Sequence, residues 1–447
     1  MGLTGIEIFK VTPKTNCKDC GCPTCMAFSM KVAQGAMQLE ACPHLGAEVM
    51  AQMAEATAPP MKTIKFGVGE NEHTLGGETV LFRHEKTFVS KNIFAVPVCT
   101  CREDAVNDKT FEDLAKVDYD RIGERMFVET IFVKYADDEA KYLALVEKAV
   151  AANRALILAC TDVEVAKKAL EIAKATKPIL LGATLENAEA MNAVAKEYDV
   201  VLGVTGDNLD NIYDTIVKLE GLGNKNLVVE TTGATIKETF ANTVQLRRAA
   251  IKDNDRSCGY PSVVNIAKLA KGNEYLQSAL AAVFTLKYGS ILVMEGMDYG
   301  QALALYGLRQ NVYTDPQKPM RVTPGIYPLN GADENAVVAI TVDFALSYFV
   351  ISGEMERSGV PINLIVVDAG GYSVLTSWAA GKFSAGSISK YFEEAGIADK
   401  IKSRQLVLPG KVAVLKGELE EKLPGWEILV GPNEAMQAVK FFKDLNN

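Results

Sequence analysis

The sequence predicts an α/β protein in three parts: a small cysteine-rich N-terminal domain, a central (β/α)8 barrel and a C-terminal doubly wound α/β domain. Three observations carry this. Five of the nine cysteines (Cys17, Cys20, Cys22, Cys25 and Cys42) fall in the first 42 residues. From about residue 61 to 325 short apolar runs alternate with amphipathic stretches, with several successive runs about 20–30 residues apart, the βα repeat of a parallel sheet. At 324–331 two prolines and two glycines interrupt the pattern, and a new alternating unit follows.

Length and composition bound the reading. At 447 residues the chain has room for two to four domains, each with its own core. It is 48% hydrophobic and 23% charged, with no apolar stretch of about 18 residues, so membrane insertion is set aside. A net charge of −9 without a basic run excludes a protein that tracks nucleic-acid phosphates. Residues 1–5 lack the basic and apolar regions of an export signal, and the expected location is the cytoplasm.

The first domain is placed at 1–58. Its end is marked by an Ala/Met helical pattern from Ala47 to Ala56 and by Pro59-Pro60, which stops a helix and stiffens a linker. The second domain, 61–325, carries strand-like runs at 127–133, 155–159, 178–181, 200–204, 227–230 and 290–294, with helical spacing at 163–174 and 188–198. Roughly 260 residues of βα repeat suits a closed (β/α)8 barrel; an open doubly wound sheet is the competing arrangement. The third domain, 326–447, has strands at 336–342, 362–367, 405–408 and 426–430, and helical spacing at 344–357 and 387–394. Such a sheet binds ligands in the crevice at the carboxyl ends of its strands.

The segment Cys17-Lys18-Asp19-Cys20-Gly21-Cys22-Pro23-Thr24-Cys25, followed by Cys42-Pro43, is the strongest chemical signal. Three thiolates at C-x2-C-x4-C converge on one face of a tight loop, and a fourth arrives from Cys42 with a proline after it, as cubane iron–sulfur clusters are held. Zinc is the alternative, although a zinc ribbon brings two paired knuckles and Cys42 stands alone. Cys22 sits among the ligands and leaves the choice of four open. His44 is read as a surface residue. The three histidines are His44, His73 and His84, so a metal or cofactor held beyond residue 84 must do without imidazole.

In the third domain, strand ends lead into Thr341-Val342-Asp343 and on to Ser347, into the loop from Asp368 through Gly370, Gly371, Tyr372, Ser373, Val374 and Leu375 to Thr376, into Pro409-Gly410, and into Gly431-Pro432-Asn433-Glu434. Glycine pairs let backbone approach a ligand, and the hydroxyls can bond to it. No G-x-G-x-x-G, P-loop, H-E-x-x-H or G-x-S-x-G is present. In the middle, Arg247-Arg248 and 253–256 read as a solvated face or an inter-subunit rim, and Cys99-Thr100-Cys101 as a strand end without metal spacing.

Taken in order, the N-terminal cysteines, Pro59-Pro60, the segments 245–248 and 259–261, the run from Arg309 to Gln317, 373–376, Gly381-Lys382-Phe383 and 426–432 resemble the large subunit of the corrinoid/iron–sulfur proteins of the reductive acetyl-CoA pathway. The resemblance spans the whole chain. It implies a [4Fe–4S] domain with Cys17, Cys20, Cys25 and Cys42 as metal ligands, a TIM barrel, and a cobamide domain. In that domain Thr341, Ser347, Gly370, Gly371, Tyr372, Ser373, Val374, Leu375, Thr376, Gly431 and Glu434 are the expected cofactor contacts, with Thr376 near the lower face. The absence of histidine after 84 and of a D-x-H-x-x-G motif agrees with a base-off cobamide.

The implied role is a methyl carrier. Co(I) accepts a methyl from methyltetrahydrofolate on a separate methyltransferase and passes it to the nickel site of acetyl-CoA synthase, while the cluster reductively reactivates Co(II). Implied partners are a small TIM-barrel subunit in a heterodimer, the methyltransferase, acetyl-CoA synthase/CO dehydrogenase, and a low-potential electron donor or reductive activator. The alternative is an iron–sulfur electron-transfer subunit without corrinoid.

Overall fold

The computed structural model describes residues 4–33, 36–46, 50, 58–315 and 320–446. Most of the Ala47 to Ala56 pattern, together with Pro316 and Gln317, lies outside them. The chain divides into two compact units: the first holds residues 1–117 and 127–313, the second 118–126 and 314–447.

In the first unit, a hairpin of β1 (Ile64–Phe66) and β2 (His73–Leu75) precedes the barrel. The barrel begins with β3 (Ile93–Cys99). A hairpin, β4 (Asp118–Arg121) and β5 (Glu124–Phe127), then intervenes, and its residues 118–126 belong to the second unit. The barrel continues with β6 (Thr130–Lys134), β7 (Ala155–Ala159), β8 (Ile179–Ala183), β9 (Val201–Val204), β10 (Leu227–Glu230), β11 (Ser262–Asn265) and β12 (Gly289–Val293). All neighbours are parallel, and β12 pairs with β3 to close the barrel. The closed barrel, not the open sheet, is therefore the architecture.

Alternate residues fill its interior, among them Ala95, Phe132, Ile157, Leu181, Val228, Val263 and Val293, with Phe66 and Leu75 of the hairpin in the same cluster. Helices cover the outer face, so the strands are buried on both sides and read as continuous apolar runs. The helices start where expected: Asp162 accepts from Glu164 and Val165 amides at 3.0 Å, and Asn208 from Asn211 at 2.9 Å.

Within the charged segment after residue 245, Arg248, Asp253 and Asn254 are exposed as a solvated face would be, but Arg247 departs from that reading. Arg247 is buried, 3.6 Å from the buried Glu78 and over the Tyr288 ring. Burial raises the Glu78 carboxyl pKa, and Arg247 opposes that shift. An isolated charge in such a place is costly, so the arginine faces inward to its partner.

The second unit is a five-stranded sheet of β13 (Gly325–Leu329), β14 (Val337–Val342), β15 (Ile362–Val367), β16 (Gln405–Leu408) and β17 (Glu427–Val430), in the order β13-β15-β14-β16-β17. The interruption at 324–331 is itself largely a strand: β13 runs antiparallel to β15 and pairs with nothing else. Pro328 is tolerated there because an edge strand need not donate on its outer side. Helices Ala345–Ser358 and Ala438–Leu445 cover one face through Met355, Ala438 and Phe442. Ala385–Glu394 and Lys416–Lys422 cover the other through Ile388, Phe392 and Leu419. From β14 the chain steps to β15 on one side, then returns past β14 to β16 on the other. That reversal places a crevice at the carboxyl ends of β14 and β16.

Candidate functional site

The cysteine-rich loop is shaped by four positive-φ residues, Lys14, Asn16, Lys18 and Gly21, which coil it tightly ahead of the helix Cys25–Ala33. Asn16 Oδ1 accepts from the Cys25 amide at 2.8 Å and fixes the helix start. All five thiols are free of disulfides; Cys17 is exposed, Cys20 half-buried, and Cys22, Cys25 and Cys42 buried. Cys22 is the most buried of them, in an apolar cluster that also holds Cys42 and has Cys20 packed against it. At 1% exposure it packs with Ile8, Phe28, Val32 and Leu39, and its Sγ lies 3.7 Å from Met37 Sδ.

His44 is exposed, as expected, yet not isolated. Its Nε2 is 2.6 Å from Asp19 Oδ2, and with Cys17 the three ligand atoms lie within 4.8 Å of one another. The His44 hydrogen bond, followed by one from Cys17, holds the Asp19 carboxyl below its ordinary range.

In the second unit the crevice at the switch point is an open cavity of about 400 Å³. Seven of the expected contacts line it: Thr341, Ser347, Ser373, Val374, Leu375, Gly431 and Glu434. Its walls are mostly apolar, with Phe344, Leu346 and Val350 from the helix after β14, and Leu346 and Leu375 are 62% and 45% exposed. Lys411 and Glu434 pair across the loops after β16 and β17 at 3.2 Å.

Gly370, Gly371, Tyr372 and Thr376 are not among the lining residues. The glycine pair serves the loop's own structure. Both have φ +76, which an L side chain rarely adopts. The Gly371 amide donates to Asp343 Oδ1 and Oδ2 at 3.0 and 3.1 Å, and Gly370 to Asp368 at 3.0 Å. Tyr372 lies under Lys382 Nζ, 4.7 Å from the ring centroid. Thr376 is exposed, with its hydroxyl 3.0 Å from Ser373 Oγ. At the opposite edge, a Cβ on Gly410 would come 2.5 Å from the Gly431 carbonyl, so the two outer loops meet only because residue 410 lacks a side chain.

Sequence reasoning missed the residue that organises this end. Asp343, 1% exposed at the end of β14, accepts from the amides of Ala369 (2.9 Å) and Gly371, and faces Arg321 at 3.2 Å. An aspartate at a strand end, with a glycine pair after the neighbouring strand, was the available signal.

A family model for the CO dehydrogenase/acetyl-CoA synthase delta subunit matches residues 63–442, and an Fe-S cluster family model matches 13–44. Similarity to curated proteins runs the full length. The corrinoid/iron-sulfur protein large subunit of Moorella thermoacetica is 37% identical over 443 residues, covering 99% of this chain and 98% of that protein. The chain belongs to this family.

The acetyl-CoA decarbonylase/synthase complex gamma subunits of Methanopyrus kandleri and Methanocaldococcus jannaschii are 32% and 31% identical, each over 99% of this chain and 97% and 96% of theirs. Among solved structures, the dihydropteroate synthase of Thermus thermophilus matches 56% of this chain and 100% of its own, at 12% identity and a TM-score of 0.39. Among the described residues no helix is long and apolar enough to cross a membrane.

Proposed function

We propose that the chain is the large, methyl-carrying subunit of a corrinoid/iron–sulfur protein, holding a [4Fe–4S] cluster on Cys17, Cys20, Cys25 and Cys42 and a base-off cobamide at the crevice of the C-terminal sheet. The observation that carries it is the switch-point cavity, at the position where this sheet topology takes ligands, in a chain whose full-length Moorella thermoacetica relative is named for corrinoid and iron–sulfur.

The residues present fit both groups. Cys17, Cys20, Cys25 and Cys42 occur at cluster spacing and are free of disulfides. The cavity joins an apolar wall to the hydroxyls of Thr341, Ser347 and Ser373, and its exposed Leu346 and Leu375 are surface that a large, flat, partly apolar ligand would cover. When bound, the cobamide supplies a strongly nucleophilic low-valent cobalt that takes and gives a methyl group, while the cluster supplies a low-potential electron.

This chain's residues hold and shape. Asp343 fixes the loop that carries Ser373, Val374 and Leu375 to the crevice, and Gly410 lets the outer loops close together. The apolar wall would keep water from the part of the cobamide that it covers. The last histidine of the chain is His84, so the C-terminal unit offers no imidazole to the metal. The expected domains are the cluster domain at 1–58, the barrel at 61–325 and the cobamide domain at 326–447. The expected partners are a small subunit, the methyltetrahydrofolate methyltransferase, acetyl-CoA synthase and a low-potential electron donor, all in the cytoplasm.

The test is uptake of labelled methyl by the reduced complex from methyltetrahydrofolate and its methyltransferase. Leu375→Arg, which drives a cation into the apolar wall, should abolish retained label while iron content is unchanged. Full uptake by a folded Leu375→Arg protein would sink the placement of the site.

A further inference from the structure

At the carboxyl end of β3 the chain forms a Cys99–Cys101 disulfide, bridging a single residue, Thr100. It shares no residue with either site described above. A bridge stabilises chiefly by closing a long loop in the unfolded chain, and one spanning a single residue is the least effective staple a chain can make. Its presence calls for another account.

The surrounding turn has supports besides the sulfurs, although the Cys101 amide also donates to Cys99 Sγ at 3.1 Å. Asn107, fully buried, accepts from the Cys99 amide at 3.0 Å and donates to the Cys99 carbonyl at 2.9 Å. The Thr100 amide donates to the Lys134 carbonyl at 3.3 Å, and its hydroxyl accepts from the Ala136 amide at 2.9 Å. Arg102 donates to the Pro97 carbonyl at 2.7 Å and pairs with Glu295. Opening the bridge therefore leaves the two sulfurs next to each other, poised to close again. They differ in access: Cys99 is 2% exposed, whereas Cys101 is exposed.

We propose that Cys99 and Cys101 form a reversible thiol–disulfide exchange site, at which small-molecule thiols react at Cys101 on the folded protein. A thiolate attacks Cys101 Sγ, the Cys99–Cys101 bond breaks, and Cys99 leaves as the thiolate and takes up a proton. A second thiol then attacks the mixed disulfide, releasing Cys101 as a thiol and the small molecule as its own disulfide. Two thiols are oxidised as the protein bridge gains two electrons and two protons. The reverse sequence uses a small-molecule disulfide as oxidant.

The sequence provides a clean readout. Cleavage after Lys91 and Arg102 yields one tryptic peptide, 92–102, that contains both cysteines and no others. The native complex is equilibrated anaerobically in dithiothreitol buffers of graded oxidised-to-reduced ratio, quenched in acid, alkylated and digested. The peptide should pass from no adducts to two across the series, reversibly, with the far-UV spectrum unchanged. In oxidised glutathione, Cys99→Ser should gain a glutathione on Cys101 at least tenfold faster than Cys101→Ser gains one on Cys99. Two outcomes overturn the proposal: a peptide alkylated only after denaturant, which makes the bridge a sealed structural bond, or one doubly alkylated in every buffer, so that no bridge forms. Equal rates in the two single variants, both folded, would refute Cys101 as the point of attack.

Discussion

Asp343→Ala should melt the loop that lines the crevice without disturbing the barrel unit. The carboxylate is 1% exposed and accepts from two amides, Ala369 at 2.9 Å and Gly371 at 3.0 and 3.1 Å. Removing it leaves two buried donors unpaired, at about 1–3 kcal/mol each, or about 2–6 kcal/mol together. The Arg321 pair adds little to that figure, because the Arg321 side chain is 50% exposed and such pairs contribute about 1 kcal/mol or less. Taking about 3 kcal/mol, in the lower half of that range, local opening becomes about 150-fold more frequent. Native-state hydrogen exchange resolved to 368–376 should show that acceleration at Gly371, while β6 and β7 keep their protection. Asp343→Asn retains one carbonyl oxygen and should show a smaller effect. Cobamide retention should fall in the same order, Ala below Asn below wild type. Unchanged exchange at Gly371 in a folded Asp343→Ala protein would refute the assignment of Asp343 as the loop's organiser.

Other outcomes follow from the same geometry. Cys22→Ala should keep its full iron content, since the family's spacing assigns the other four and Cys22 Sγ lies 3.7 Å from Met37 Sδ, while Cys20→Ala should lose the cluster; iron loss confined to the Cys22 variant would reverse the ligand assignment. Gly371→Val places a β-branched residue at φ +76 and should cost about 1–3 kcal/mol, so its hydrogen-exchange signature should match that of Asp343→Ala. His73 is pushed below its ordinary pKa by burial, with Glu129 opposing and Arg309 adding to the shift. As pH falls through the unfolded value of 6.5, the unfolded chain binds the proton first, so the neutral folded form loses stability down to its lower folded pKa. The drop in unfolding midpoint between about pH 7.5 and 5.5 should shrink in His73→Leu, and an equal drop would show that His73 does not drive it.

Much of the fold was legible because parallel strands buried on both faces write continuous apolar runs. The strands 155–159, 227–230, 362–367 and 405–408 have the bounds that the sequence suggested. The hairpin at 118–127 was not legible, since its alternating charges (Asp118, Asp120, Arg121, Glu124, Arg125) resemble a loop. Nor was β13, where Gly325 and Pro328, with Pro324 just before the strand, look like punctuation but suit an edge. Arg247 misled because burial of a charge depends on Glu78, 169 positions away, which no local pattern reveals. Of the residues expected at the crevice, Thr341, Ser347, Ser373, Val374, Leu375, Gly431 and Glu434 line the cavity. Gly370 and Gly371 were read as ligand contacts because a glycine pair looks the same whether it makes room for a ligand or turns its amides onto a buried aspartate.

The most direct test of the central claim is metal analysis of the complex, purified anaerobically with its small subunit. The account predicts about four iron atoms and one cobalt per chain, with no zinc. Zinc without iron, or iron without cobalt under conditions that supply cobamide, would contradict it.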